Sequence, residues 1–349
     1  MPAPRLAPLA LLLLPALAAG CRAPVTLAAE APPAPPGWVD PSPHRPQTIG
    51  VGAVHLSILD WGGDGPPLVL VHGLGGNPHV FDDLAPLLRA HLHVLAYAGR
   101  GQGDSDAPPR GPYDLDARVA DLGRLLDRLK IERAHLLGWS TAGADITRFA
   151  TVAPARVGKL VYLDAAYDWS DPTFLSELEK MVAANAAELT DLSSLDAYRG
   201  WFTETWLGRQ PWTQGLEAFL RDRVRVGAGG QVAPRTPSLV QRQLFAGLSG
   251  PPPAYARVRA AALALYASSF FAVDSPNPGR AFLARDFEER VAAPWRARSL
   301  ARARRELAGG LTVRQLEGAT HASIGVRDVE ALAATIDEFL TGAPRAARP

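Results

Sequence analysis

Several features that would point directly to one class of protein are rare in the 349-residue sequence. It contains one cysteine, which excludes an intramolecular disulfide, so the fold must depend on its core. Its charges nearly balance, with 36 Lys and Arg against 35 Asp and Glu, and this argues against a nucleic-acid partner. Because 47% of the residues are apolar, the chain can bury a large core. We therefore expect a soluble globular protein.

Outside the N-terminus, no apolar run is long enough to cross a bilayer. Residues 1–21 have the pattern of a targeting segment, with Arg5, an apolar run over 6–17 and small residues after it. Cys21 follows these residues, and the segment resembles the lipobox of bacterial lipoprotein signal peptides, where the cysteine becomes the lipidated first residue. An ordinary cleaved signal peptide is the alternative. The resemblance implies an exported, periplasmic or cell-envelope protein that contacts the membrane through a lipid on Cys21.

Composition and patterning divide the rest of the chain into three parts. Residues 22–47 are rich in Pro and Ala and predict an extended arm that buries little. From about Val51 onward, strand-like and helix-like segments alternate, which is typical of a mostly parallel sheet with helices on both faces. The alternation stops over 168–257, where the segments look helical. We predict an α/β core of residues 48–167 and 258–343, with 168–257 as a helical cap inserted after strand six.

The position of the predicted cap has a functional meaning. An inserted layer over the C-terminal edge of a parallel sheet lies where such sheets bind their ligands, so we expect a lid on a pocket. The alternative is a helical subdomain that takes no part in ligand binding. Aromatic residues within the insertion fit an apolar pocket or the cap's own core equally well; they are Trp201, Phe202, Trp206 and Trp212.

The sequence Gly-Trp-Ser-Thr-Ala-Gly at 138–143 follows a predicted strand and opens a predicted helix. A serine on so sharp a turn needs small residues two positions away on each side, because strand and helix backbones crowd there. Gly138 and Ala142 meet this need. A similar pattern surrounds Ser105, but it runs into two prolines and opens no helix. We predict Ser140 as a nucleophile.

Chain order indicates the base, since triads on such sheets run nucleophile, acid, histidine. Seven of the eight histidines precede Ser140, which leaves His321, directly after the last predicted strand. The acid should end a strand, where it can bind the far imidazole nitrogen. Asp164 ends the sixth predicted strand and is the first choice. Asp274 beyond the seventh strand and Asp168 remain alternatives.

The glycine-rich sequence 72–76, His-Gly-Leu-Gly-Gly, follows the buried strand predicted at 68–71. Such a turn lets backbone amides face a pocket, and the oxyanion of an acyl-transfer intermediate needs about two such donors. The N–H groups of Leu74 and Thr141 are the candidates. Thr141 also stands at a predicted helix N-terminus, where partial positive charge favours an oxyanion.

The order of these motifs, with Gly-Arg-Gly-Gln-Gly-Asp-Ser at 99–105 between them, resembles the α/β-hydrolase superfamily over roughly 51–340. The resemblance implies the α/β-hydrolase fold, an eight-stranded, mostly parallel sheet with a cap over the site. Ala98 departs from the pattern, because aspartate is common there, and the Gly-x-x-Asp after strand seven is absent. Haloalkane dehalogenases are similar in carrying the acid after strand six, but they use Asp as nucleophile. Ser140 therefore argues against dehalogenase and epoxide hydrolase chemistry.

These residues together predict a serine hydrolase that cleaves a small or medium apolar ester through an acyl-enzyme. An acyltransferase, or hydrolysis of a lactone, an amide or a carbon–carbon bond, would use the same residues, and fold does not choose among them. A non-catalytic ligand-binding lipoprotein is the second alternative. No metal-ligand cluster or dinucleotide fingerprint is visible, so we expect neither cofactor nor metal. The arginine-rich stretch 285–305 predicts a solvated helical face. The oligomeric state is left open.

Overall fold

A computed structural model describes residues 38–342 of the chain. The predicted signal peptide and lipidation site at Cys21 lie outside the described residues and stay predictions. Within residues 38–342, no helix combines the length and the apolar character needed to cross a membrane.

The described residues form ten strands, of which eight make one sheet. The strands are β1 (Arg45–Gly50), β2 (His55–Gly62), β3 (Pro67–Val71), β4 (His93–Tyr97), β5 (Ala134–Trp139), β6 (Val157–Leu163), β7 (Val224–Val226), β8 (Val232–Pro234), β9 (Ala262–Ser269) and β10 (Leu311–Thr320). The large sheet has the order β1-β2-β4-β3-β5-β6-β9-β10. Only the β1–β2 and β2–β4 pairs in it are antiparallel. This confirms the predicted eight-stranded, mostly parallel sheet.

Helices cover both faces of this sheet, and four of them lie between β6 and β9 in the order of the chain. They are α1 (Ala85–Leu88), α2 (Leu115–Arg128), α3 (Ala142–Val152), α4 (Pro172–Ala184), α5 (Leu195–Phe202), α6 (Gln214–Arg223), α7 (Ser238–Ala246), α8 (Pro278–Phe287), α9 (Ala293–Glu306) and α10 (Val329–Thr341). A 3₁₀ turn, Pro78–Phe81, follows β3.

Local sequence explains where these elements begin and what they bury. The side chain of Asp114 accepts a hydrogen bond from Ala117 N at 2.9 Å and caps α2. The apolar residues of α2 recur at helical spacing and pack on the sheet; they are Val119, Leu122, Leu125 and Leu126. The central strands β3 and β5 are buried on both faces, which explains their continuous apolar runs.

Two short strands in the segment 168–257 correct the prediction that it contains helices alone. Val224–Val226 pairs antiparallel with Val232–Pro234 as a hairpin, while α4 to α7 make up the helical part. Each strand is three residues long, too short to show the alternation by which strands are predicted.

The sheet also begins earlier than expected. Residues 45–47, predicted as the end of the arm, belong to β1, which pairs with β2 from Arg45↔Asp60 onward. β1 is an edge strand with four exposed residues at its start, so it lacks an apolar pattern. Pro46 fits this position because an edge strand tolerates a residue without an N–H.

Candidate active site

Ser140 occupies a sharp turn between β5 and α3. Its backbone is left-handed, with φ of +61°, and its N–H donates to Leu163 O at 3.2 Å. Such strained backbone in a non-glycine residue is typical of functional sites. The helix after it packs closely on the chain beyond β6, since a Cβ at Gly143 would lie 2.0 Å from Ala165 O. The small residues of the motif therefore permit the turn that presents the serine.

Ser140, His321 and Asp164 lie in one hydrogen-bonded chain. His321 Nε2 is 2.7 Å from Ser140 Oγ, and His321 Nδ1 is 2.5 Å from Asp164 Oδ2. All three residues are buried. The alternatives lie elsewhere, because Asp274 is exposed on the loop after β9 and Asp168 binds Arg302 Nη1 at 3.0 Å. The geometry is that of a nucleophile, a base and an orienting acid.

Asp164 is held as a carboxylate by several donors. Its Oδ1 accepts hydrogen bonds from Ala267 N at 3.0 Å and from the Tyr167 hydroxyl. Burial alone would raise the pKa of Asp164, but the hydrogen bond and charge interaction with His321, with help from Arg296 and Tyr167, hold this pKa below its usual value. The ionised carboxylate can therefore accept a hydrogen bond from the imidazole N–H and stabilise an imidazolium.

Arg296 is an exception to the prediction that residues 285–305 form a solvated face. Its side chain is only 13% exposed, donates to Glu288 Oε1 at 2.8 Å and lies 3.3 Å from the Tyr167 hydroxyl. The sequence carried a signal for this burial. Ala292, Trp295, Ser299 and Ala303 are buried at helical spacing, and Arg296 adjoins that stripe.

Aromatic rings fix the orientation of the His321 imidazole. Phe270 stacks on it with ring centroids 4.2 Å apart and planes at 10°, and Trp139 lies 5.5 Å away at 27°. The Trp139 indole N–H also donates to the backbone oxygen of His321 at 2.9 Å. Since the ring is packed and hydrogen-bonded, its Nε2 stays directed at Ser140.

The predicted oxyanion donors lie beside Ser140. Leu74 and Thr141 line the same cavity as Ser140, and Thr141 is the N-cap residue of α3. A Cβ at Gly73 would lie 2.5 Å from Ser140 Cβ, so only glycine lets the loop approach so closely. The Leu74 N–H donates to Thr141 Oγ1 at 2.9 Å. A substrate oxygen would have to replace that hydroxyl.

His72 fixes this loop, a role that its place in the motif did not reveal. Its Nε2 accepts from Gly99 N at 3.0 Å, and its Nδ1 is 2.8 Å from Gly73 O. Burial lowers the pKa of His72 to about 4, so the ring is neutral with its proton on Nδ1. Gln102 adds a second support, because its Oε1 accepts from Gly75 N at 2.6 Å.

A cavity of about 430 Å³ opens above Ser140 under the cap. Residues of the cap make up most of its wall, and most of these are apolar; among the apolar ones are Leu178, Val182, Leu192, Trp201, Phe202, Trp206, Phe245 and Leu248. Of the aromatic residues singled out in the sequence, Trp212 does not line it and instead donates to Glu217 Oε2 at 3.0 Å. The wall suits an apolar ligand.

Comparisons with known proteins agree with this architecture. A family model described as alpha/beta hydrolase fold matches residues 66–284. Among solved structures, E-2-(acetamidomethylene)succinate hydrolase superposes with a TM-score of 0.66 and 23% identity, covering 86% of this chain and 100% of that one. The enol-lactonase from Burkholderia xenovorans LB400 gives a TM-score of 0.57 at 22% identity, covering 84% of this chain and 100% of that one. At these identities the similarity establishes the fold.

Curated relatives match a shorter part of the chain. A serine hydrolase-like protein of Homo sapiens is 34% identical over 129 residues, which are 36% of this chain and 61% of that protein. Fluoroacetate dehalogenase of a Burkholderia species is 34% identical over 141 residues, 39% of this chain and 44% of that enzyme. The matches thus span about half the length of these relatives. The family model covers more than half of the chain, and the protein belongs to the α/β-hydrolase family.

Proposed function

We propose that this protein is a serine hydrolase that cleaves carboxylic esters with a small or medium apolar acyl group. The observation that carries the proposal is the chain of two short hydrogen bonds, 2.7 Å from Ser140 Oγ to His321 Nε2 and 2.5 Å from His321 Nδ1 to Asp164 Oδ2. This arrangement activates a serine hydroxyl, which is otherwise a weak nucleophile.

In the first half of the reaction, Ser140 Oγ attacks the ester carbonyl carbon while His321 Nε2 takes the hydroxyl proton. Asp164 stabilises the imidazolium, and the N–H groups of Leu74 and Thr141 hold the oxyanion. The tetrahedral intermediate collapses as His321 gives its proton to the leaving alcohol. An acyl group then remains on Ser140.

In the second half, a water molecule attacks the acyl-enzyme while His321 takes its proton. Collapse of the second intermediate releases the carboxylic acid and returns the proton to Ser140 Oγ. The volume of about 430 Å³ and the apolar wall support a small or medium acyl chain.

The test is hydrolysis of a p-nitrophenyl ester chain-length series by the wild type, Ser140→Ala and His321→Ala, with a serine-directed fluorophosphonate as a label. We expect activity and labelling in the wild type and a loss of about 10⁴-fold or more in both variants. A wild type that is folded, hydrolyses no ester and takes no label would contradict the proposal and favour a binding protein. Product analysis with an alcohol acceptor present separates hydrolysis from acyl transfer.

We also propose that the protein is exported and carries a lipid on Cys21, on the strength of the sequence of residues 1–21. The measurement is the mass of the N-terminal peptide of the protein made in a bacterial host, beside Cys21→Ser. A mature chain that keeps residues 1–20 would contradict export.

A further inference from the structure

Four potential metal ligands converge outside the cavity. Asp40 and His44 come from the segment before β1, and His79 and Asp82 come from the 3₁₀ turn after β3 and the residue that follows it. Their donor atoms all lie within 4.8 Å of one another. The sequence predicted no metal site, because the ligands belong to two short segments that only the fold brings together.

Nitrogen and oxygen donors alternate around this group. His44 Nε2 is 2.9 Å from Asp40 Oδ2 and 3.8 Å from Asp82 Oδ1. His79 Nδ1 is 3.1 Å from Asp40 Oδ2 and 2.8 Å from Asp82 Oδ2. Ligand atoms around a tetrahedral zinc ion, at bond lengths of about 2.0–2.1 Å, are about 3.3 Å apart. The four side chains therefore need only small adjustments to surround a cation.

The carboxylate of Asp82 gives a second, independent indication of a ligand. Its side chain is 1% exposed, and its Oδ1 has no hydrogen-bond partner within the part of the chain that the structure describes. A buried carboxylate oxygen without a partner is costly. This oxygen faces the imidazole of His44, so a cation between them would satisfy it.

Neighbouring groups hold two of the ligands in place. Asp40 Oδ1 accepts from Ser42 N at 2.9 Å, and Ser42 Oγ accepts from the Trp61 indole N–H at 2.9 Å. The ring of His44 packs edge-on against Trp61, with centroids 5.4 Å apart. Outer contacts of this kind orient ligands in metal sites.

We propose that Asp40, His44, His79 and Asp82 bind one divalent first-row transition-metal ion, with Zn²⁺ as the best match. Two imidazoles disfavour Mg²⁺ and Ca²⁺, which prefer oxygen ligands, whereas two nitrogen and two oxygen donors suit tetrahedral Zn²⁺. Two carboxylates balance the charge of the ion. Because a ligating imidazole nitrogen must be unprotonated, binding should weaken at low pH.

The site would join the segment before β1 to the turn after β3, and that turn contacts α6 of the cap. Among the described residues that line the cavity, none is a member of this group. Asn77, two residues before His79, does line it, and its side-chain N–H donates to Phe219 O in α6 at 2.9 Å. The bound ion would therefore stabilise the segment 38–44 and the turn beneath α6 without touching the reacting atoms.

The test uses the full-length protein, stripped with a chelator and titrated with Zn²⁺ alone. We expect one Zn²⁺ per chain by native mass spectrometry and a rise in Tm of about 5 °C at a hundredfold excess of free Zn²⁺ over Kd. Hydrogen exchange should slow in peptides that cover 38–44 and 77–82. Co²⁺ should give the visible absorption of a tetrahedral site.

His44→Ala and His79→Ala should lose the stoichiometric binding and the rise in Tm. His55→Ala is the matched control, since His55 is an exposed histidine bound to Asp106 at 2.9 Å outside the group, and it should keep both. If His79→Ala does not fold, His44→Ala carries the test. No stoichiometric Zn²⁺ on the wild type, or an equal rise in Tm for the wild type and His44→Ala, would overturn the proposal.

Discussion

The core and the cap contribute different kinds of side chain to the cavity above Ser140. The core supplies polar groups at strand ends, each fixed by hydrogen bonds, as Asp164 is by His321 Nδ1 and Ala267 N. The cap supplies apolar walls whose aromatic rings pack on one another, such as Tyr198 and Trp201 with centroids 5.1 Å apart. We infer that the core determines the chemical step and that the cap determines which acyl groups fit.

The largest expected effect separates the acid from its alternative within the core. Asp164→Asn should lower kcat for the preferred p-nitrophenyl ester about 10⁴-fold, because the amide cannot stabilise the imidazolium and favours the wrong tautomer. Asp274 is an exposed residue on the loop after β9, so Asp274→Asn is the matched control and should leave kcat unchanged. Comparable losses in both variants, or a loss in Asp274→Asn alone, would contradict the role of Asp164.

A second effect concerns the contribution of His72, in the loop of residues 72–76, to the stability of the core. Because the pKa of His72 falls from 6.5 to about 4 on folding, its neutral form stabilises the protein above pH 6.5, and this stabilisation is lost as pH falls toward 4. Urea unfolding should show about 2–3 kcal/mol of this loss between pH 7.5 and 4.5. His72→Gln should remove that part of the pH dependence. An unchanged pH dependence in the variant would refute the role of His72.

A smaller effect tests the support of the acid. Tyr167→Phe removes one donor to Asp164 but keeps the ring that stacks on Trp295 with centroids 4.3 Å apart. We expect kcat to fall about tenfold, because the Asp164 carboxylate loses one hydrogen-bond donor and its pKa rises without it. Tyr266→Phe is the control, because that hydroxyl bonds Ala166 O at 3.1 Å. Equal kcat values for both variants would mean that Tyr167 has no positioning role.

The smallest expected effect tests whether the cap selects the acyl group. Val182→Phe places a larger side chain in the cavity wall, so kcat/KM for long-chain esters should fall several-fold while that for the acetate ester stays within twofold. Val152→Phe on the exposed end of α3 adds the same bulk outside the cavity and should change neither. A uniform loss across chain lengths would show that the cap does not select the acyl group.

The sequence predicts a site residue well where a local motif defines it and poorly where the tertiary structure does. The pairing of Ser140 with His321 could be anticipated, because a local turn motif and chain order single out both residues without knowledge of tertiary contacts. The choice between Asp164 and Asp274 depends on where β9 ends. That strand continues to Ser269, and Asp274 lies exposed on the loop after it. Apolar patterning does not mark this boundary.

Residues that act through distant contacts were harder to recognise. The motif around His72 was visible, but its bond to Gly99 N joins loops from different strands. Arg296 lies in an arginine-rich helix that was predicted to be solvated, although it adjoins the buried stripe of that helix. The hairpin of β7 and β8 has strands of three residues each, too short for a periodic signal.

The exposed edge strand β1 bears on how copies of this protein behave beside one another in concentrated solution. The strand begins with three exposed residues, Arg45, Pro46 and Gln47, and a charge beside a proline discourages a second chain from extending the sheet. β1 covers β2, whose Leu56 and Ile58 are buried. Loss of residues 45–50 would leave the backbone edge of β2 unpaired, so we expect this polar strand to protect the protein against edge-to-edge aggregation.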